Sequence, residues 1–207
     1  MNYDGIIFDL DGTLWDSGDG VAKTWEAIIK TLPEDLTPPT LEEIGGIMGL
    51  TPENVMKKLF PQLSLQRGLE LFDLFSSHET VYLSEHGGRL YPGLTELLEA
   101  LSEKLPLFIV SNCAKGYIEA FLTAHDAYKY FKDWECIGNN QLRKSDNIEL
   151  IVSRNDLKNP VYVGDTRLDY TEASAAGVPF IHAAYGFGGE IPDVPVIDNP
   201  HSLINLI

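Results

Sequence analysis

The sequence is poor in cysteine and in positive charge, and it contains no long hydrophobic run. Its two cysteines are too few for a disulfide framework, and its five histidines show no metal-ligand spacing. Lys and Arg number 15 against 31 Asp and Glu, so the net charge of −16 disfavours nucleic acid and anionic membranes as partners. No stretch approaches the roughly 20 apolar residues that span a bilayer, and none has the flanks of a signal peptide. We therefore expect a cytoplasmic, globular protein with no obligatory protein partner.

What the sequence does contain is a series of short apolar stretches separated by helical patterns. The chain has 207 residues, of which 44% are hydrophobic, as is ordinary for a folded domain. Stretches that are apolar on both faces, with helices between them, are typical of a parallel sheet covered by helices. We predict strands at 5–8, 107–110 and 161–163, and weaker ones at 134–137 and 179–182. The predicted fold class is α/β: a Rossmann-like three-layer α/β/α core with a parallel sheet.

The segment between the first two predicted strands is far too long for a single crossover. Its apolar residues recur at helical spacing in two stripes, one from Val21 to Leu32 and one from Leu65 to Phe75. We therefore predict an α/β core domain formed by residues 1–14 and 86–207, with an all-helical cap domain, residues 15–85, inserted after the first strand. Farther along, Asp146 followed by Glu149 resembles a capping box and predicts a helix that begins at Asp146.

Polar clusters follow the predicted strands and lie in one loop. In open α/β sheets the ligand site lies beyond the carboxyl ends of the strands, so we expect these side chains to converge. The clusters comprise carboxylates, a hydroxyl, an amide and a lysine: Asp9 and Asp11, Ser111 and Asn112, Lys144, and Asp165 and Asp169.

Four carboxylates in one crevice repel one another unless a cation lies among them. Hard oxygen ligands favour Mg²⁺, which proteins hold through one or two carboxylates together with water and a phosphate oxygen. A nearby lysine and hydroxyl supply a point charge and a donor for phosphate. The combination predicts a phosphoryl-transfer site, in which positioning and neutralisation of charge provide most of the catalysis.

These residues, in this order, resemble the four motifs of the haloacid dehalogenase-like hydrolases. The motifs are Asp9-Leu10-Asp11-Gly12-Thr13, Ser111-Asn112, Lys144, and Gly164-Asp165 with Asp169. The helical insert and the segment Leu90-Tyr91-Pro92-Gly93-Leu94 look like the subfamily that includes phosphoglycolate phosphatase and β-phosphoglucomutase. The segment Tyr185-Gly186-Phe187-Gly188 is similar to its phosphatase branch.

The resemblance implies a role for each acid. Asp9 would attack phosphorus and form an aspartyl phosphate, and Asp11 would serve as general acid and then as general base. Mg²⁺ would be held by Asp9, the backbone carbonyl of Asp11, and Asp165. Asp169 would orient the lysine or a metal-bound water.

The resemblance also implies how phosphate and substrate are held. Ser111, Asn112 and Lys144 would bind the phosphoryl group, although the family's usual proline after the lysine is missing, so neighbouring Arg143 is an alternative to Lys144. The glycine-rich segment of the insert has the position of a specificity loop, which makes Gly46, Met48 and Gly49 candidate specificity residues, with Lys115 a further one.

Three functions are compatible with these motifs. The first is a Mg²⁺-dependent phosphatase that hydrolyses the phosphate monoester of a small metabolite, either phosphoglycolate-like or a sugar phosphate. The second is a sugar phosphomutase of the β-phosphoglucomutase type, which would use the same aspartyl phosphate. The third is a non-enzymatic phospho-acceptor similar to a receiver domain. A receiver is disfavoured because it carries no helical insert, and because Asp11 would shorten the life of the phosphorylated state.

Overall fold

A six-stranded sheet forms the centre of the molecule in a computed structural model that describes residues 3–207. Its strands are β1 (Gly5–Phe8), β4 (Leu107–Ser111), β5 (Phe131–Cys136), β6 (Pro160–Gly164), β7 (Phe180–Ala183) and β8 (Val196–Ile197). The spatial strand order is β5-β4-β1-β6-β7-β8, and every neighbouring pair is parallel. The predicted α/β fold class is confirmed.

Strand β1 lies in the middle of the sheet, and all its residues are buried, because its side chains alternate between two hydrophobic layers. Ile6 and Phe8 pack into the layer that also contains Leu97 and Phe121. Ile7 packs into the opposite layer, which contains Ile151. Helices therefore cover both faces of the sheet, as the continuously apolar strands predicted.

The helices that cover the sheet are α5 (Leu94–Ser102), α6 (Tyr117–Ala124), α8 (Lys144–Arg154) and α9 (Arg167–Ala175), with a short α7 (Ile137–Asn140) and a terminal 3₁₀ helix (Pro200–Asn205). Two predicted elements have a boundary that is wrong by two or more residues, whereas the ends of the other predicted strands differ by at most one residue. The strand expected at 134–137 begins at Phe131 and ends at Cys136. Helix α8 begins at Lys144 rather than at Asp146, because the Asp146 carboxylate lies inside the first turn and accepts the backbone N–H of Arg143 at 3.3 Å.

The segment that follows β1 contains four helices: α1 (Gly18–Ile29), α2 (Leu41–Gly45), α3 (Pro52–Leu59) and α4 (Leu65–His86). Two short antiparallel strands, β2 (Trp15–Asp16) and β3 (Arg89–Leu90), lie at its beginning and end. The chain therefore enters and leaves the helical segment at adjacent positions. The helices match the expected secondary structure of residues 15–85, and the division into core and cap domains stays a prediction.

Aromatic side chains hold the helical segment together and pack it against the core. Trp25 of α1 stacks on Phe75 of α4, with ring centroids 4.5 Å apart. Trp15 lies edge-on to Tyr117 and Phe121 of α6, at centroid distances of 5.7 and 5.2 Å. Trp15 is completely buried, so it packs at the junction of the two parts of the chain. Among the helices of residues 3–207, none combines the length and the hydropathy required to cross a membrane.

Candidate active site

The polar clusters predicted from the sequence meet at the carboxyl edge of the sheet. Asp9 follows β1, Ser111 ends β4, and Asp165 follows β6, the three strands being neighbours in the order β4-β1-β6. Lys144 is the first residue of α8. Because parallel strands bring their carboxyl ends to one side, residues more than a hundred positions apart in the chain become neighbours.

Three buried carboxylates form the centre of the site. Asp9, Asp165 and Asp169 each offer an oxygen within 4.8 Å of the others, a spacing suitable for a shared metal ion. Burial and the charge of Asp169 raise the pKa of Asp9 to about 7, although Lys144 opposes the shift. Burial, together with Asp169 and Asp9, raises the pKa of Asp165 well above its ordinary value. The raised pKa values show that burial and mutual repulsion oppose ionisation of these acids, and a divalent cation among them would favour their charged forms. Their oxygen ligands fit a hard divalent cation such as Mg²⁺.

Lys144 is the basic residue that enters the site. Its buried Nζ donates to Asp9 Oδ1 at 2.6 Å and also to Asp169 Oδ1. Burial lowers the pKa of Lys144, but the two carboxylates outweigh burial and hold this pKa well above its usual value. Arg143 instead points outward and donates to Glu172 at 3.1 Å, with its side chain 68% exposed. The geometry therefore favours Lys144 over the alternative Arg143.

The Asp11 carboxylate lies outside the three-acid cluster and has its own hydrogen bonds. Ser17 Oγ and Tyr117 Oη donate to its Oδ1 at 2.6 and 3.2 Å. Burial raises the pKa of Asp11 to about 6, and the two hydroxyl donors partly oppose this rise because they stabilise the charged form. A carboxylic acid with a pKa near neutrality can both donate and accept a proton, as a general acid–base requires.

Ser17 and Tyr117 were not anticipated from the sequence. Ser17 lies six residues after Asp11, whereas Tyr117 comes from α6, 106 positions away. The hydroxyl of Tyr117 also donates to Ser17 Oγ at 2.8 Å, so the three groups form one network. A serine and a tyrosine carry no local signal for this role, and only the packing of α6 against the helical segment brings them to Asp11.

A glycine-rich turn encloses Asp165. Backbone N–H groups of Phe187 and Gly188 donate to Asp165 Oδ2 at 2.7 and 3.2 Å, which holds one face of this carboxylate. A Cβ at Gly12, whose φ is +84°, would lie 2.2 Å from the same oxygen, and a Cβ at Gly186 would lie 2.3 Å from the Gly12 carbonyl. The glycines are required here because the backbone approaches the carboxylate too closely for any side chain.

Four of the remaining candidate residues share one cavity. Ser111, Asn112, Met48 and Gly49 line a small inner cavity of about 60 Å³ that also reaches Asp11. The Asn112 amide is already engaged there, since its Nδ2 donates to the Gly49 carbonyl at 2.9 Å. Asn112 therefore joins the predicted specificity loop to the sheet edge.

Gly46 and Lys115 lie elsewhere. Gly46 follows α2, and its carbonyl accepts from Lys58 Nζ at 2.6 Å. Lys115 precedes α6, is exposed, and lines a neighbouring outer cavity of about 440 Å³ together with Glu53 and Asp73. Neither residue lines the inner cavity with Asp11, so the structure does not bring these two candidates to the acid cluster.

This chain belongs to the haloacid dehalogenase-like hydrolase family, whose model matches residues 6–183. Phosphoglycolate phosphatase from Escherichia coli (strain K12) is 28% identical to it over 229 residues, covering 97% of this chain and 89% of the relative. Phosphoglycolate phosphatase from Rhodobacter capsulatus is 29% identical over 192 residues, covering 88% of this chain and 84% of the relative. The predicted enzyme class, a phosphoric monoester hydrolase, is confirmed, and the receiver-like alternative is excluded.

Solved structures share the fold. A haloacid dehalogenase-like family hydrolase from Streptococcus pneumoniae superposes with a TM-score of 0.80 at 22% identity, covering 99% of this chain and 98% of that one. CbbY from Rhodobacter sphaeroides, solved in complex with xylulose-(1,5)bisphosphate, superposes with a TM-score of 0.79 at 18% identity, covering 98% and 96%. At these identities the similarity concerns the fold alone.

Proposed function

We propose that this protein is a Mg²⁺-dependent phosphatase that hydrolyses the phosphate monoester of a small metabolite through an aspartyl phosphate on Asp9. The observation that carries the proposal is the division of the acids into two groups. Asp9, Asp165 and Asp169 converge on one point beside Lys144, while Asp11 is held apart by Ser17 and Tyr117. A cation site and a separate acid–base at one sheet edge fit phosphoryl transfer.

The first half-reaction follows from the positions of Asp9 and Asp11. A carboxylate oxygen of Asp9 attacks phosphorus, a P–O bond to the substrate alcohol breaks, and Asp11 donates its proton to the departing oxygen. With a pKa of about 6, Asp11 holds a transferable proton in the mildly acidic to neutral range. In the second half-reaction Asp11 takes a proton from water, whose oxygen attacks phosphorus. The P–O bond to Asp9 then breaks, which releases orthophosphate and restores the Asp9 carboxylate.

Other residues of the site position the phosphoryl group. Ser111 and Asn112 lie at the end of β4 on the inner cavity, and Lys144 lies between Asp9 and Asp169. In the proposed mechanism they bind the phosphoryl oxygens, and Asp169 orients Lys144. Asp9, Asp165 and the Asp11 backbone carbonyl would hold Mg²⁺, which when bound supplies neutralisation of the charge on the transferring phosphoryl group.

The helical segment would serve as the cap of this site. Its loop at Met48 and Gly49 lines the inner cavity together with Ser111, and its helix α1 contributes Trp25 to the same cavity. A cover over the sheet edge excludes bulk water from the reacting groups and selects among alcohols by shape and charge.

The decisive experiment compares wild type with Asp9→Asn, which preserves size but removes the nucleophilic charge. We expect orthophosphate release to fall at least about a thousandfold in the variant, and EDTA to abolish wild-type activity until Mg²⁺ is restored. Asp35→Asn, at an exposed position, is the matched control and should retain full activity. Full turnover by Asp9→Asn, or turnover without a divalent metal, would overturn the proposal.

A further inference from the structure

A buried carboxylate that the mechanism does not use lies beside Asp11. Glu79 belongs to α4, is 6% exposed, and lines the same inner cavity as Asp11 and Ser111. Its Oε2 accepts a hydrogen bond from Trp25 Nε1 at 2.6 Å. Its Oε1 accepts none from any residue within 3–207. One acceptor oxygen of this largely buried acid is therefore left for a group that enters the cavity.

The inner cavity contains no positive charge to balance this acid. Its lining comprises Asp11, Glu79 and otherwise neutral side chains, with no Lys, Arg or His among the described residues. Burial raises the pKa of Glu79 to about 7, and the charge of Asp11 adds to the rise while the bond from Trp25 opposes it. A further carboxylate placed in this cavity would meet two acids and no cation, which is unfavourable by the same electrostatics.

The candidate cation Lys115 does not change this balance. It is exposed and lines the outer cavity, where Glu53 and Asp73 are its acidic neighbours. In the proposed mechanism Ser111 and Asn112, on the β4 side of the inner cavity, join Lys144 in binding the phosphoryl group. The rest of the inner cavity is therefore the place where the alcohol portion of a small monoester would lie, and the cavity volume of about 60 Å³ accommodates only a few non-hydrogen atoms.

We propose that Glu79 is a specificity residue that accepts a hydrogen bond from a hydroxyl or ammonium group on the substrate alcohol. The substrate class is then a small phosphate monoester of a polyol or amino alcohol that has no carboxylate. This inference rests on the proposed phosphatase function and narrows it. Of the two substrate classes expected from the sequence, it favours the hydroxyl-bearing one over the phosphoglycolate-like one.

The test uses three monoesters with the same two-carbon frame: 2-hydroxyethyl phosphate, O-phosphoethanolamine and 2-phosphoglycolate. We expect kcat/KM for the better of the first two to exceed that for 2-phosphoglycolate at least about tenfold. Which of the first two is better distinguishes a hydroxyl from an ammonium partner. A preference for 2-phosphoglycolate would overturn the inference and leave the phosphatase proposal intact, whereas no hydrolysis of any phosphate monoester would overturn the phosphatase proposal itself.

Variants separate a specificity role from a structural one. Glu79→Gln retains an acceptor for Trp25 and gains an N–H donor, so we expect the preference against 2-phosphoglycolate to fall at least about fivefold, through a lower KM for that substrate. Glu85→Gln, exposed on the same helix, should leave the preference unchanged. An equal loss for all three substrates in a folded Glu79→Gln protein would refute the assignment. Selective loss of 2-phosphoglycolate turnover in Lys115→Met would refute it as well.

Discussion

Replacing Lys144 by Met tests how the buried charges of the site are balanced. Met has a similar length but removes the Nζ that donates to Asp9 and Asp169, both of which are about 1% exposed. The variant retains Asp9, Asp165 and Asp169 as neighbours without the cation that stands among them. We therefore expect a large loss of stability in addition to the loss of activity.

The size of the loss follows from the burial of the pair. Removing one partner of a buried ion pair typically costs about 3–5 kcal/mol, because the remaining charge is uncompensated. For a chain of this size such a loss lowers the melting temperature by roughly 6–20 °C. Arg143→Met is the matched control. The Arg143 side chain, which pairs with Glu172, is 68% exposed, so we expect its replacement to lower the free energy of unfolding by no more than about 1 kcal/mol.

The loss of stability in Lys144→Met should change with pH in a definite direction. The pKa of Asp9 is raised from 3.8 to about 7 in the folded protein, so its charged form opposes folding above pH 7 and this opposition disappears on acidification. Lys144 lowers that pKa, and its removal raises it further. We expect the stability deficit of Lys144→Met to be larger at pH 8.5 than at pH 5.5.

Urea unfolding at both pH values, followed by tryptophan fluorescence in the presence of EDTA, measures this deficit. The EDTA keeps divalent metal from replacing the missing charge. A deficit below about 1 kcal/mol at pH 8.5 would contradict the reasoning. So would a deficit equal to that of Arg143→Met, or one that grows on acidification.

Two further substitutions test the hydrogen bonds and the close approaches of the site. Tyr117→Phe removes a donor to the charged form of Asp11, so the pKa of Asp11 should rise. The alkaline limb of the pH profile of kcat/KM for an alkyl phosphate should then move up by about 0.5 to 1 pH unit. An unmoved limb would exclude Asp11 as the group that titrates. Gly12→Ala places a Cβ 2.2 Å from Asp165 Oδ2, so the rise in melting temperature caused by Mg²⁺ should be largely lost. Gly93→Ala shares the left-handed backbone, with φ +79°, but meets no atom within 4 Å, so its response to Mg²⁺ should equal that of wild type.

The sequence could predict the sheet and the acids because both depend on local pattern. Strand β1 is apolar at every position and is followed at once by Asp9 and Asp11, so the strand and its polar end are visible together. The helix start at Asp146 was wrong for the same local reason. A carboxylate can cap from inside the first turn as well as from the position before it, and the sequence alone does not tell these apart.

Residues that act across long separations could not be found in this way. Tyr117 reaches Asp11 across 106 positions, and Glu79 meets Trp25 across 54. Their places depend on how α4 and α6 pack against each other and on the register of the helical segment. Hydrophobic periodicity indicates which face of a helix is buried, but it does not indicate which buried polar group will meet which partner.

The sequence by itself determined the parallel α/β sheet, the helical segment after β1 and the order of the acids and the lysine along the chain, because periodicity and strand ends are local properties. Tertiary structure alone decided that Lys144 rather than Arg143 meets the buried acids and that Asp11 stands apart from the cluster of Asp9, Asp165 and Asp169. It also decided that Glu79 lies in the inner cavity while Lys115 does not. The physical reason is burial. Whether a charge is desolvated, and which opposite charge or donor accompanies it there, depends on packing between segments that are distant in the chain.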